Sequence, residues 1–230
     1  MNKRDAAGVE TPAGADLLHP SFLYYGETVA RSFPLILVIG REPQVDKPVS
    51  PGAGTYDFRG SPRCGFWNSA AGLAARYSGV PGMTTAAIKR VFHAAQAAPL
   101  VFADALPIGL SDKIPPRDKA RLRRAVPKAA IDRHLAHVLC LEDRPDAQVR
   151  SLMDRVEFVI LSGHAAPGFE YASGMLVRHL EGLGVPFVRT AFLFGSNMPG
   201  ILSALAASGW DTRFRSVMRR FRAADRNFPA

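Results

Sequence analysis

The sequence predicts an α/β fold: a three-layer α/β/α sandwich with a central, mostly parallel four-stranded sheet. Three observations predict it. Four short, mostly apolar runs are spread along the chain, and the first, LILVIG, is continuous and rich in β-branched residues, as in a strand buried on both faces. Stretches of helical periodicity separate them, so strand and helix alternate. The chain has 230 residues, 47% hydrophobic and 21% charged, enough for a sizeable core with an ordinary globular balance.

In chain order, residues 1–16 are polar and small and read as a disordered lead to a single domain over 17–230. Residues 19–31 are helix-like and amphipathic, closed by Pro34. The first strand is 35–39 (LILVI), stopped by Gly40 and Pro43. Residues 41–61 form a loop rich in Pro and Gly, and a loop this long in a compact domain is usually functional. A helix follows over 65–77, with Phe66, Trp67, Ala70, Leu73 and Ala74 near helical spacing. Another covers 84–97, with Thr84 or Thr85 as N-cap. The second strand is 100–107 (LVFADALP), apolar except for Asp104, and 108–124 is polar and basic. Helices over 128–141 and 146–154 lead to the third strand, 156–161, which ends at Ser162-Gly163-His164. A helix over 169–183 stops at Gly184, and the fourth strand, 186–194, runs into a turn over 195–200. Helices over 201–207 and, strongly basic, 212–226 complete the chain.

A net charge of +9 and a pI near 10.1 favour a polyanionic partner, nucleic acid before an anionic membrane. The plainer alternative is a generally basic protein. Two cysteines, Cys64 and Cys140, exclude a disulfide scaffold and a four-cysteine iron–sulfur cluster within the chain. No apolar run is long enough to span a bilayer, and residues 1–16 lack a secretory apolar core. A cytoplasmic monomer with no membrane contact is expected. His93, His134, His137 and His179 lack metal spacing, His19 lies before the first strand, and no phosphate loop, dinucleotide fingerprint or nucleophile elbow occurs. No metal or cofactor is expected.

Ligand sites in open α/β sheets lie outside the carboxyl ends of the strands. Gly40-Arg41-Glu42-Pro43 stands at such an end, with Glu42 biased to an extended backbone by the proline. A carboxylate held there could position water or face a developing cation; alternatively it is an exposed loop residue beside Arg41. Phe58 could stack on a planar ligand, and Arg59 and Arg63 could meet phosphates. Phe66 and Trp67 start a helix, with core packing the better reading for Trp67. In the turn over 195–200 a strand end meets a helix N-terminus, where backbone N–H groups suit a phosphate. Asn197 could contact a ligand or merely cap the helix, and Ile201 could wedge into a base stack. Asp104 is either a strand-end acid above a pocket or a structural charge paired with loop backbone or an arginine.

These pieces, in this order, resemble the uracil-DNA glycosylase superfamily, with a motif pattern closest to its mismatch-specific uracil/thymine branch. Gly40-Arg41-Glu42-Pro43 looks like that family's G-x-[DNE]-P motif after the first strand. Phe58, Pro62 and Phe66-Trp67-Asn68 look like its F-x-x-P-x-N-R-F-W-K stretch, and Asn197-Met198-Pro199-Gly200-Ile201 like its N-P-S-G-L. The resemblance covers roughly residues 35–203. Pro199 is displaced by one position, Gln44 replaces the usual Gly or Tyr after the motif proline, and Asp104 falls near the Asn that reads uracil. What the resemblance implies is a monofunctional DNA glycosylase of base excision repair, acting on a damaged or deaminated base flipped out of DNA. Glu42 and Asn197 are then the catalytic residues, and Phe58, Asp104, Gly40 and Arg41 the base-binding ones. Arg59, Arg63, Ser196, Met198, Gly200 and Ile201 contact DNA. The alternatives are a non-catalytic nucleic-acid-binding relative, or a hydrolase of free nucleosides or nucleotides.

Overall fold

A computed structural model of the chain describes residues 22–44, 57–61, 63–225 and 228. The expected lead over 1–16, most of the Pro/Gly-rich loop and Pro62 lie outside these residues. The four apolar runs are strands: β1 (Leu35–Gly40), β2 (Leu100–Asp104), β3 (Val156–Ser162) and β4 (Phe187–Thr190). They form one all-parallel sheet in the order β2-β1-β3-β4. All six residues of β1 are buried, as a central parallel strand covered on both faces requires.

Eight α-helices among the described residues cover the sheet: α1 (Gly65–Arg76), α2 (Thr85–Ala95), α3 (Pro116–Ala125), α4 (Lys128–Val138), α5 (Ala147–Met153), α6 (Glu170–Gly182), α7 (Met198–Ala207) and α8 (Trp210–Ala224). Helices α1, α2, α7 and α8 share one layer: Tyr77, after α1, meets Phe214 of α8 at 5.0 Å, and Phe92 of α2 meets Phe221 of α8 at 5.6 Å. On the other face α4 and α6 pack together, joined where the Tyr171 hydroxyl donates to Asp132 at 2.8 Å. The connection after β1 thus runs over one face and the connection after β3 over the other. That reversal puts a topological switch point between the carboxyl ends of β1 and β3.

Four expectations need correction. The described part of the expected 19–31 helix is extended, with one 3-10 turn at Gly26–Thr28. Leu23 instead exchanges both backbone hydrogen bonds with Phe102, at 2.9 and 3.0 Å, and so covers the open edge of β2. Strand β2 stops at Asp104 because the N–H groups of Ala105 and Leu106 turn to the carbonyls after β1. Strand β4 stops at Thr190, beyond which the Leu193 N–H donates to Ser162 Oγ at 3.0 Å. The basic stretch contains α3, which the Pro115-Pro116 pair and a mostly charged composition conceal; a proline in the first helical turn costs nothing, since its missing N–H has no partner there. No helix among the described residues is long and apolar enough to cross a membrane.

Candidate functional site

The backbone leaving β1 is sewn to the backbone leaving β2. Ala105 N–H donates to the Gly40 and Arg41 carbonyls at 3.3 and 3.0 Å, Leu106 N–H to Arg41 at 3.0 Å, and Leu110 N–H to Pro43 at 2.9 Å. A Cβ on Gly40 would stand 2.9 Å from Asp104 Oδ1, so glycine is needed for that carboxylate to lie over the turn. The two strand ends, with residues from 58 to 66 and from 192 to 194, line a pocket of about 350 Å3.

One wall of the pocket is aromatic. Phe58 stands edge-on to Phe66 and Phe102 at 5.2 and 5.1 Å, and Phe66 lies 5.5 Å from Phe192 at 33°. Phe194 is at the rim, 50% exposed, its ring pressed against Gly65 where α1 begins. A flat ring is the ligand such a wall accommodates by stacking and edge contacts. The polar side carries Arg41, Glu42, Asp104, Asp112 and Lys119. Arg41 lays its guanidinium 4.4 Å over the Phe192 ring, and its buried Nε has no hydrogen-bond partner among the described residues. Burial lowers the Arg41 pKa from its ordinary value.

Glu42 is not an exposed loop residue. Arg123 of α3 grips both its oxygens, Nη2 to Oε1 at 2.6 Å and Nε to Oε2 at 3.1 Å, and the side chains are only 4% and 6% exposed. The guanidinium also donates to the Pro167 carbonyl at 3.0 Å and lies 4.8 Å over the Phe169 ring. Gly168 permits this approach: it has φ +91°, and a Cβ there would stand 2.8 Å from Arg123 Cβ. Arg123 is therefore spent on Glu42 and is not a surface cation, as the basic stretch around it suggests.

His164, just beyond β3, does not line the pocket but braces the turn after β1 beneath it. It is 6% exposed, with Nε2 3.1 and 3.0 Å from the Ile39 and Gly40 carbonyls. Two carbonyls can only accept, so Nε2 carries the proton. Nδ1 is buried without a hydrogen-bond partner among the described residues. Burial pushes the pKa down from 6.5 to about 4. The unfolded chain thus binds a proton below pH 6.5 that the folded chain refuses until about pH 4. Stability is complete above that window and falls through it as pH drops, by about 3 kcal/mol in all. Urea unfolding across the window should show this slope, and His164→Phe should flatten it; an unchanged slope would mean that His164 does not cause it.

Gly40, Arg41, Glu42, Phe58 and Asp104 line the pocket, and so does Arg63, which was expected among the DNA contacts. Trp67 is fully buried, a core residue. Arg59 is committed within the chain: it pairs with Asp57 at 2.7 Å, donates to the Tyr24 carbonyl and lies 5.1 Å over the Tyr25 ring. The second half of the expected site does not join the first. Asn197, Ser196, Met198, Gly200 and Ile201 are not among the pocket lining. Asn197 Nδ2 donates to the Phe192 carbonyl at 2.8 Å and so braces the aromatic wall from behind. Ser196 and Gly200 are exposed, and Met198 is partly buried against the core. Ile201 is 0% exposed and cannot wedge into a base stack, because the first turns of α7 roll it into the core beside Leu205. Phe192, Phe194, Asp112 and Lys119 were missed; no local pattern marks them, since they meet only when β4, α3 and the strand ends assemble. The chain matches no family model, no curated protein and no solved structure.

Proposed function

We propose that the chain is a monofunctional DNA glycosylase that takes a flipped-out damaged or deaminated base into this pocket and hydrolyses its N-glycosidic bond. The observation that supports it most is the pairing, in one pocket at the strand ends, of an aromatic wall with the carboxylates of Glu42 and Asp104. Aromatic walls bind bases by stacking whatever their sequence context, while carboxylates suit the positive charge that builds on the sugar as the bond breaks. Arg123 takes one lone pair on each Glu42 oxygen, which leaves the others to accept from water. Its charge also offsets part of the field of Glu42, so Glu42 acts chiefly by holding and deprotonating the attacking water. Arg41 is placed to donate to the departing base. The test is a screen of duplexes carrying different modified bases, followed by alkaline cleavage of abasic sites; release of no base would defeat the proposal.

The grip of Arg123 on Glu42 also favours a second reading, a base-binding protein that does not cleave. Binding of a lesion duplex without base release would distinguish it.

Asp104 bears on base choice. Uracil presents an N3–H donor beside an O4 acceptor; Asn answers both, whereas a carboxylate only accepts. Asp104→Asn should therefore raise the rate on uracil, relative to other lesions, by roughly tenfold or more, the scale of one good base contact. Relative single-turnover rates check it, and identical ratios on every lesion would mean that Asp104 is structural.

A further inference from the structure

The solvent side of α8 carries Arg213, Arg215, Arg219, Arg220 and Arg222, against one acid in the helix, Asp211. Arg215, Arg219 and Arg222 are spaced i, i+4 and i+7, which sets them in one stripe. Arg215 lies 5.3 Å over the Tyr77 ring, Arg76 approaches the same tyrosine, and Arg222 Nη1 reaches the Gly79 carbonyl at 3.5 Å. The stripe thus runs on to the end of α1. Arg219 is exposed and makes no hydrogen bond or ion pair among the described residues. None of these residues lines the pocket. They lie toward the other end of the strands: Phe221 packs on Phe33 at 4.8 Å, and Arg220 pairs at 2.9 Å with Glu157, near the start of β3.

We propose that this stripe is a second nucleic-acid contact, which docks the phosphate backbone of duplex DNA at a surface separate from the pocket. It does not rest on the pocket's chemistry. Three features select this partner. The cations of α8 are all arginines, whose planar guanidinium matches phosphate with two parallel hydrogen bonds. The stripe spans about 10 Å along the helix, long enough to reach neighbouring phosphates of one DNA strand. A membrane fits less well, because a helix that lies in a bilayer surface must offer it an apolar face. In α8 that face, Phe214, Val217, Met218 and Phe221, is at most 1% exposed and already fills the core.

The experiment is a salt titration of binding to a short undamaged duplex, with the full chain and with Arg215→Gln/Arg219→Gln/Arg222→Gln. Each phosphate contact contributes about 0.9 to the slope of log K against log salt. The triple variant should have a slope shallower by about 2 to 3 and bind roughly tenfold or more weakly at low salt. Arg219→Glu alone, at a site with no partner to lose, should shift the slope in the same direction by about 1 and guards against misfolding of the triple variant. Parent affinity and slope in both variants would overturn the proposal. So would tighter binding of the parent chain to phosphatidylglycerol vesicles than to duplex, with the variants losing only the vesicles. Because the duplex is undamaged and no base release is read, failure of the glycosylase reading leaves this outcome intact.

Discussion

Arg123→Ala is expected to lower the unfolding free energy by about 3–5 kcal/mol, the cost of stranding a buried charge. Both partners of the pair are nearly out of water, so the Glu42 carboxylate would lose two charge-assisted hydrogen bonds with no solvent to replace them. The Pro167 carbonyl would lose its donor, and the Phe169 ring its covering guanidinium. Chemical denaturation of parent and variant measures the difference. The double variant Arg123→Met/Glu42→Leu should recover most of it, because a buried ion pair and an apolar pair of similar volume often have comparable stability. A loss below about 1 kcal/mol in the single variant, within reach of an exposed ion pair, would mean that the pair is hydrated.

Glu42→Gln is expected to slow single-turnover base release by roughly a hundredfold or more, the usual scale for losing a general base. Gln has nearly the same shape but neither the charge nor the basicity. Binding of a lesion duplex should survive, since the aromatic wall, Arg41 and the surface cations are untouched. The structure adds a condition that the loop position of Glu42 does not suggest. Gln offers Arg123 only one neutral oxygen where the carboxylate offers two charged ones, so the variant must also be less stable. Rates therefore have to be compared well below the melting temperature of the variant, with its folded fraction checked. Cleavage at the parent rate would rule out Glu42 as the water-activating group. Binding without cleavage by parent and variant alike would favour the non-cleaving reading.

Much of the frame was legible because its signals are local. LILVIG and, beyond Glu157, FVIL are apolar without alternation, which only a strand covered on both faces tolerates, and both belong to central strands here. Thr84, one of the two expected caps, precedes a helix and accepts from the N–H of Ala87, as an N-cap should. Where local signals competed, the reading failed. Residues 19–31 carry helical periodicity, but two backbone hydrogen bonds to an otherwise open strand edge outweigh it. Helix α3 is mostly charged, and its Pro115-Pro116 pair reads as a break.

Half of the site was legible for the same reason. A strand that ends in glycine and proline fixes where the chain turns, and the open end of a parallel sheet is where a ligand site forms; Gly40, Arg41, Glu42 and, at the end of the next strand, Asp104 follow from that, whereas Phe58 was read as an aromatic in the long loop. Tertiary structure alone decided what each does there. A run of arginines reads as a solvated face, and nothing in its spacing says that Arg123 reaches Glu42, 81 residues away, while Arg219 reaches nothing among the described residues. A hydrophobic residue after a turn reads equally as tip or core, and the rotation of α7 decides that Ile201 is core while Phe194 is left at the rim. Periodicity constrains which face of an element is apolar. Partners across the fold depend on how the faces dock, and that is settled by packing and by pairing buried charge, interactions between residues far apart in the chain.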